Sequence, residues 1–88
     1  MNEKEAVEIS YVLAGKRKAV LLALDKDQTP TQISKVVDVS VNNLWSKLKD
    51  LQDHGMAKCL NPDARRFRIY SRTKKGDVIA EKVRKMDA

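Results

Sequence analysis

Apolar side chains recur along this chain first at helical spacing, then at strand spacing, then at helical spacing again. Ala6, Val7, Ile9, Val12 and Leu13 follow a helical period over residues 5–13. Gly15 interrupts it. After Lys16-Arg17-Lys18, the run Ala19–Leu24 sets Val20, Leu21 and Leu24 on one buried face, so the segment is one helix bent at Gly15 or two short ones. Asp25–Gln28 reads as a polar loop. Thr29-Pro30-Thr31-Gln32 has the chemistry of a helix start: a capping threonine, a proline at the first helical position and a glutamine that completes a capping box. Ile33, Val36 and Val37 give that helix a short apolar face, and it is expected to end near Asp38. Ser40 is a good cap for the next helix, in which Val41, Leu44, Leu48 and Leu51 recur at i, i+3, i+7 and i+10 until His54-Gly55 stops it.

The period then changes. Met56–Leu60 reads as a strand, Asn61-Pro62-Asp63-Ala64 as a turn, and Arg66–Arg72 as a returning strand with Phe67 and Ile69 opposite Arg66, Arg68 and Arg72. Thr73 can cap a last helix bearing Val78, Ile79, Val83 and Met86. Two helices joined by so few residues must cross steeply, which is the helix-turn-helix layout. Followed by a hairpin and a helix, they give the winged helix-turn-helix order. The expected class is α+β, mostly α, with a two-stranded hairpin as wing and flanking N- and C-terminal helices. It is a single domain over 1–88, with the helix-turn-helix at about 29–55, the wing at about 56–73 and the last helix at about 74–86.

Charge adds a location. Of 18 basic residues, seven (Lys58, Arg65, Arg66, Arg68, Arg72, Lys74 and Lys75) lie between Lys58 and Lys75 with Asp63 as the only acid. Basic and acidic residues balance over the rest, so the formal excess of +6 sits in this one stretch, the wing and the first residues of the last helix. An exposed cationic hairpin on an otherwise neutral domain suits a polyanion, with nucleic acid the first candidate. At 42% hydrophobic and 34% charged, the composition is neither that of a disordered chain nor that of a membrane protein. No apolar run approaches the roughly 20 residues that span a bilayer. The N-terminus, Met1-Asn2-Glu3-Lys4-Glu5, lacks a signal-peptide pattern, and the single Cys59 fits a reducing cytoplasm. One histidine and one cysteine make no zinc set, and the three scattered glycines make no phosphate loop. No nucleophile motif or acid pair suggests an enzyme, and no cofactor is expected.

The run Ile33-Ser34-Lys35-Val36-Val37-Asp38-Val39-Ser40-Val41-Asn42-Asn43-Leu44 is followed by Leu48, Leu51, Gly55 and Cys59-Leu60-Asn61-Pro62, then by Arg68-Ile69-Tyr70, Thr73 and Gly76. Over residues 9–83 this pattern resembles the archaeal winged-helix transcriptional regulators of the MarR/ArsR-like group. The resemblance implies a sequence-dependent binder of double-stranded DNA, usually dimeric, that acts on transcription. Asp38 stands where that group usually has glycine in the turn, and aspartate accepts the left-handed conformation better than most residues. Trp45-Ser46-Lys47 replaces a common Ser-Arg-Ala, which displaces or removes a frequent basic contact. Ser71-Arg72 replaces the usual polar-then-leucine step, so the inward side of the second strand is carried either by Tyr70 or by Phe67 and Ile69.

A recognition helix places its exposed N-terminal residues against base edges in the major groove. With Leu44, Leu48 and Leu51 inward, Asn42, Asn43, Trp45, Ser46, Lys47 and Lys49 are left outside. Asparagine pairs bidentately with adenine, and lysine reaches phosphate or guanine; the plainer role for the asparagines is a solvated first turn. Trp45 either seals the core, meets DNA sugar or a thymine methyl, or anchors a partner. Thr31 and Lys35 lie on the outer side of the preceding helix and either accept a phosphate or are simply exposed. Arg65, Arg66 and Arg68 can clamp phosphate or enter a narrow minor groove. Five to eight phosphate contacts imply a log–log salt slope on the order of −4 to −7. Lys16-Arg17-Lys18 reads as an exposed helix start, with phosphate contact the lesser reading, His54 as a helix C-terminal residue, and Cys59 as a small buried hydrophobe, with a redox-sensing thiol the lesser reading. A homodimer is expected through Ile9, Tyr11, Val12 and Leu13 at one end and Val78, Ile79, Val83 and Met86 at the other. The competing readings are a winged-helix protein-interaction module in a transcription or nucleic-acid-processing complex, with Trp45 as its anchor, and an RNA binder using the same wing.

Overall fold

Three hydroxyl-capped helix starts set the frame. The computed structural model describes residues 3–86, so the ends of the expected 1–88 domain, with Met1 and Asn2, lie outside the described residues. In order come α1 (Glu3–Leu13), α2 (Arg17–Ala23), α3 (Pro30–Val36), α4 (Val41–Asp53), β1 (Ala57–Cys59), β2 (Tyr70–Arg72) and α5 (Lys74–Lys85). At α3 the capping box forms in full: the Thr29 hydroxyl accepts the Gln32 N–H at 3.2 Å, and Gln32 Oε1 accepts the Thr29 N–H at 2.9 Å. The Ser40 hydroxyl accepts the Asn43 N–H at 3.3 Å to open α4. The Thr73 hydroxyl accepts the Gly76 N–H at 3.0 Å and donates to the Gly55 carbonyl at 2.6 Å, so one side chain starts α5 and closes the end of α4.

The turn between α3 and α4 differs from the sequence expectation. Helix α3 stops at Val36 rather than near Asp38, because Val37 is already extended at φ −120° and ψ 149°. Val37 packs against the core, and that burial pulls the backbone out of the helix. Asp38 is not left-handed, since Phe67 is the one described non-glycine residue with positive φ. Lys16 secures the turn from outside: its ammonium donates to the Asp38 carbonyl at 2.6 Å and lies 3.1 Å from the Asp38 carboxylate. The break at Gly15, at φ 62°, resolves the N-terminal segment into two helices.

The core joins every helix. Val12, Val20, Leu21, Ile33, Leu44, Leu48, Leu51, Met56 and Val83 are fully buried. Each such large side chain contributes about 1.5–3 kcal/mol relative to exposure. Leu44, Leu48 and Leu51 hold α4 to the core through one stripe and leave its opposite face in solvent.

The wing is shorter than its alternating sequence suggests. β1 and β2 pair antiparallel with Ala57 opposite Arg72, Lys58 opposite Ser71 and Cys59 opposite Tyr70. The returning strand expected from Arg66 begins only at Tyr70. Asn61 causes this: its Oδ1 accepts the Ile69 N–H at 2.6 Å, and its Nδ2 donates to the Phe67 carbonyl at 3.2 Å. Phe67, at φ 55°, breaks the strand geometry. Tyr70 therefore faces inward at 2% exposure while Phe67 stands out at 77%. Tyr70 also bridges Gln28 on its other edge, with backbone bonds of 3.0 and 2.8 Å, and the Gln28 side-chain amide donates to the Ala23 carbonyl. The expected polar loop over 25–28 thus adds an isolated one-residue bridge to the edge of the two-stranded hairpin.

Glycine is required where α5 crosses the base of the wing. A Cβ on Gly76 would lie 2.0 Å from the Met56 carbonyl oxygen, so only a hydrogen fits.

Candidate nucleic-acid interface

Helix α4 presents three different sides. Opposite the core stripe lie Asn42, Ser46 and Lys49, all exposed. Asn43 and the half-buried Lys47 turn toward the corner between α1 and α2, where they share a depression with Lys16 and Asp38. Trp45 turns toward the wing. Thr31 and Lys35 are exposed on α3. The residues singled out on the helix-turn-helix are therefore all accessible, but they do not form one patch around a single atom.

The acids of α4 and of the turn before it already have cations. Arg17 lies 3.3 Å from Asp50 and stacks 4.1 Å over the Tyr11 ring, which makes it a half-buried strut between α2 and α4 rather than an exposed helix start. Lys49 meets Asp53 at 3.2 Å, and Lys16 meets Asp38. Lys35, Lys47, Arg65 and Arg66 have no ion-pair partner among the described residues. The local excess of charge rests on these side chains and on Arg68, whose Nε donates to the Ala64 carbonyl at 2.9 Å.

The basic cluster of the wing and the start of α5 divides in two. Arg72 turns inward to Asp77 at 3.0 Å, and Lys75 to Glu8 at 2.6 Å, so both serve the fold. Lys58, Lys74, Arg65 and Arg66 are exposed, and Arg68 is half-buried. Burial pushes the Glu8 carboxyl up, but the Lys75 hydrogen bond and charge, with His54 beside them, outweigh it and hold Glu8 below the ordinary glutamate value of 4.5. His54 also stacks on Tyr11 at 3.8 Å between ring centres. It is thus built into a packed cluster as well as standing at the end of α4.

Between wing and helix-turn-helix lies a depression of about 280 Å³ lined by Pro30, Thr31, Trp45, Phe67 and the three wing arginines. Trp45 is 41% exposed, and its indole stands edge-on to Tyr70 with 6.2 Å between ring centres. It both covers the Tyr70 edge of the core and offers a free surface. Phe67 was missed as a surface residue by the alternating pattern; the signal that could have placed it is Asn61, a residue suited to bracing a tight loop. No cluster of three or more His, Cys, Asp or Glu suited to a metal occurs among the described residues.

Four of the side chains expected to reach a second copy serve this chain's own core: Ile9, Val12, Ile79 and Val83 are buried within it. Tyr11 is occupied by His54 and Arg17. Val7, Leu13, Val78 and Met86 are the exposed large hydrophobic residues of α1, its neighbour α5 and the cap that ends α5.

No protein-family model matches the chain, and no curated protein sequence matches it either. Solved structures do match. Among the chain's structural neighbours are MarR-family winged-helix transcription regulators. One MarR family transcription regulator superposes with a TM-score of 0.78 at 19% identity, covering 97% of this chain and 57% of the other. A mutant MarR from E. coli complexed with operator DNA gives 0.69 at 25%, covering 88% of this chain and 58% of that one. TubR from Bacillus thuringiensis, bound to 24 bp of tubC, gives 0.78 at 14%, covering 98% of both chains. The chain thus spans little more than half the length of the two MarR proteins and nearly all of TubR. These likenesses establish the winged-helix fold. Among the described residues no helix is long and apolar enough to cross a membrane.

Proposed function

We propose that this domain binds double-stranded DNA in a sequence-dependent way as a transcriptional regulator. Helix α4 enters the major groove, and the wing rests on the backbone or the minor groove. The observation that carries the reading is the distribution of charge: acids around α4 are neutralised within the fold, while Lys35, Lys47, Arg65 and Arg66 are left without counter-charges. A polyanion supplies the missing charge and releases its own counterions. Asn42, Ser46 and Lys49 then face base edges, Asn43 and Lys47 flank them on the α1–α2 side, Trp45 faces sugar or thymine methyl, and Thr31 and Lys35 meet the flanking phosphate, with Arg65, Arg66 and Arg68 gripping on the wing side. Operator DNA in the E. coli MarR complex and tubC DNA in the TubR complex support the same use of the fold.

The finer assignments belong to the same proposal. The Cys59-Leu60-Asn61-Pro62 lead into the wing supports grouping with archaeal MarR/ArsR-like regulators. The role is one of binding rather than catalysis, and its place is the cytoplasm, with the DNA. A single domain reads a short half-site, so a homodimer on a palindrome follows. Its contacts are the N- and C-terminal helices, now through Val7, Leu13, Val78 and Met86.

Titration of a random duplex library at rising salt tests the reading. The expected log–log slope is on the order of −4 to −7, and selection from the pool should yield a palindromic consensus. The exposed Trp45 and Phe67 favour one second reading, a protein-interaction module. Absence of any duplex binding at low salt would decide for it.

A further inference from the structure

Phe67 has no part in the duplex contacts above, yet the fold holds it in a costly position. It is the most exposed large hydrophobic side chain of the described residues, at 77%. Its backbone takes φ 55°, which a bulky residue rarely adopts. Asn61 braces that conformation by donating to the Phe67 carbonyl and accepting the Ile69 N–H. The ring lines the same depression as the exposed part of Trp45, which Tyr70 holds edge-on. Pro30 adds an apolar wall, and Arg65, Arg66 and Arg68 lie along the rim.

Two aromatic rings beside three cations meet both halves of a nucleotide: a flat apolar base and its phosphates. In a fully paired duplex the faces of each base are covered by its neighbours. Only a base outside the stack can offer a face to Trp45 or Phe67. We propose that this depression receives an unstacked DNA base, so that the domain favours a duplex carrying an extrahelical base over the fully paired one. This rests on the DNA-binding reading of the interface. It adds a second mode of recognition beside the groove contacts of α4. The depression, at about 280 Å³, has room for a base with part of its sugar.

Trp45 is the sole tryptophan, so intrinsic emission reports on this site alone. The test compares two duplexes of one sequence, one with a single-base bulge, by anisotropy of labelled DNA and by tryptophan emission. The bulged duplex is expected to bind about tenfold more tightly and to quench Trp45 more strongly. Phe67→Gly suits the left-handed backbone and so keeps the fold; it should abolish the preference while leaving the paired duplex bound as before. Phe67→Tyr should retain the preference. Equal affinity and equal quenching for both duplexes would overturn this inference alone, as would a bulge preference that survives in Phe67→Gly. Binding of neither duplex at low salt would overturn the DNA reading and this inference with it.

Discussion

Lys75 joins Glu8 across 67 residues of sequence: its ammonium lies 2.6 Å from Glu8 Oε1 and 2.7 Å from the His54 carbonyl. One side chain therefore ties α5 to α1 and to the end of α4, the helix that carries the candidate reading face. The Glu8 side chain is only 12% exposed, so its charge is committed to this contact.

Folded Glu8 holds its proton less tightly than an ordinary glutamate, because Lys75 and His54 together outweigh the burial that opposes them. Its contribution is therefore fully present above the ordinary value of 4.5 and is lost as pH falls through the lower folded value. Glu8→Gln should cost about 1–2 kcal/mol near neutral pH by weakening a charge-assisted bond. Urea unfolding of both proteins down the acid range should show the gap closing; a gap of constant size would refute the assignment.

Two glycines separate space from conformation. Gly76→Ala drives a methyl into the Met56 carbonyl, so α5 must shift, at a cost of about 3 kcal/mol. Gly55→Ala meets only the Lys75 side chain, no closer than 3.8 Å, and pays for its φ of 73° alone, about 1–2 kcal/mol. Thermal melts of the two variants should rank in that order.

The sequence carried the helices well and the wing poorly, for a physical reason. Thr29, Ser40 and Thr73 cap through contacts three residues away, and Leu44, Leu48 and Leu51 follow a period, so both signals are local. The wing loop depends on Asn61 reaching across to Phe67 and Ile69, and the edge bridge on Gln28 meeting Tyr70; no period records such pairings. The charge cluster located the candidate surface but could not show that Arg72 and Lys75 turn inward to Asp77 and Glu8. Nor could it show that Arg17, read as exposed, would brace α4 through Asp50.

Arginines of different duty should respond differently to salt. Arg65→Ala and Arg66→Ala remove unpaired cations at the rim of the wing depression, and each should flatten the log–log salt slope by about one while weakening all sequences alike. Arg17→Ala should leave that slope unchanged and lower stability, because Arg17 is spent on Asp50 and Tyr11. A salt slope that drops in Arg17→Ala but not in the wing variants would reverse this division.

The two asparagines of α4 should separate in specificity. Asn42 lies with Ser46 and Lys49 on the side opposite the buried leucines, where a helix seated in the major groove meets base edges. Asn43 points aside toward Lys16 and Asp38. A bidentate asparagine–adenine pair discriminates by about 1–3 kcal/mol. Asn42→Ala should therefore erase one adenine from the sequences selected out of a random pool and leave the salt slope intact, since no phosphate contact is lost. Asn43→Ala should change the consensus less. If Asn43→Ala erases the adenine and Asn42→Ala does not, α4 enters the groove rotated toward the α1–α2 corner, and Lys47 replaces Lys49 as the lysine nearest the bases.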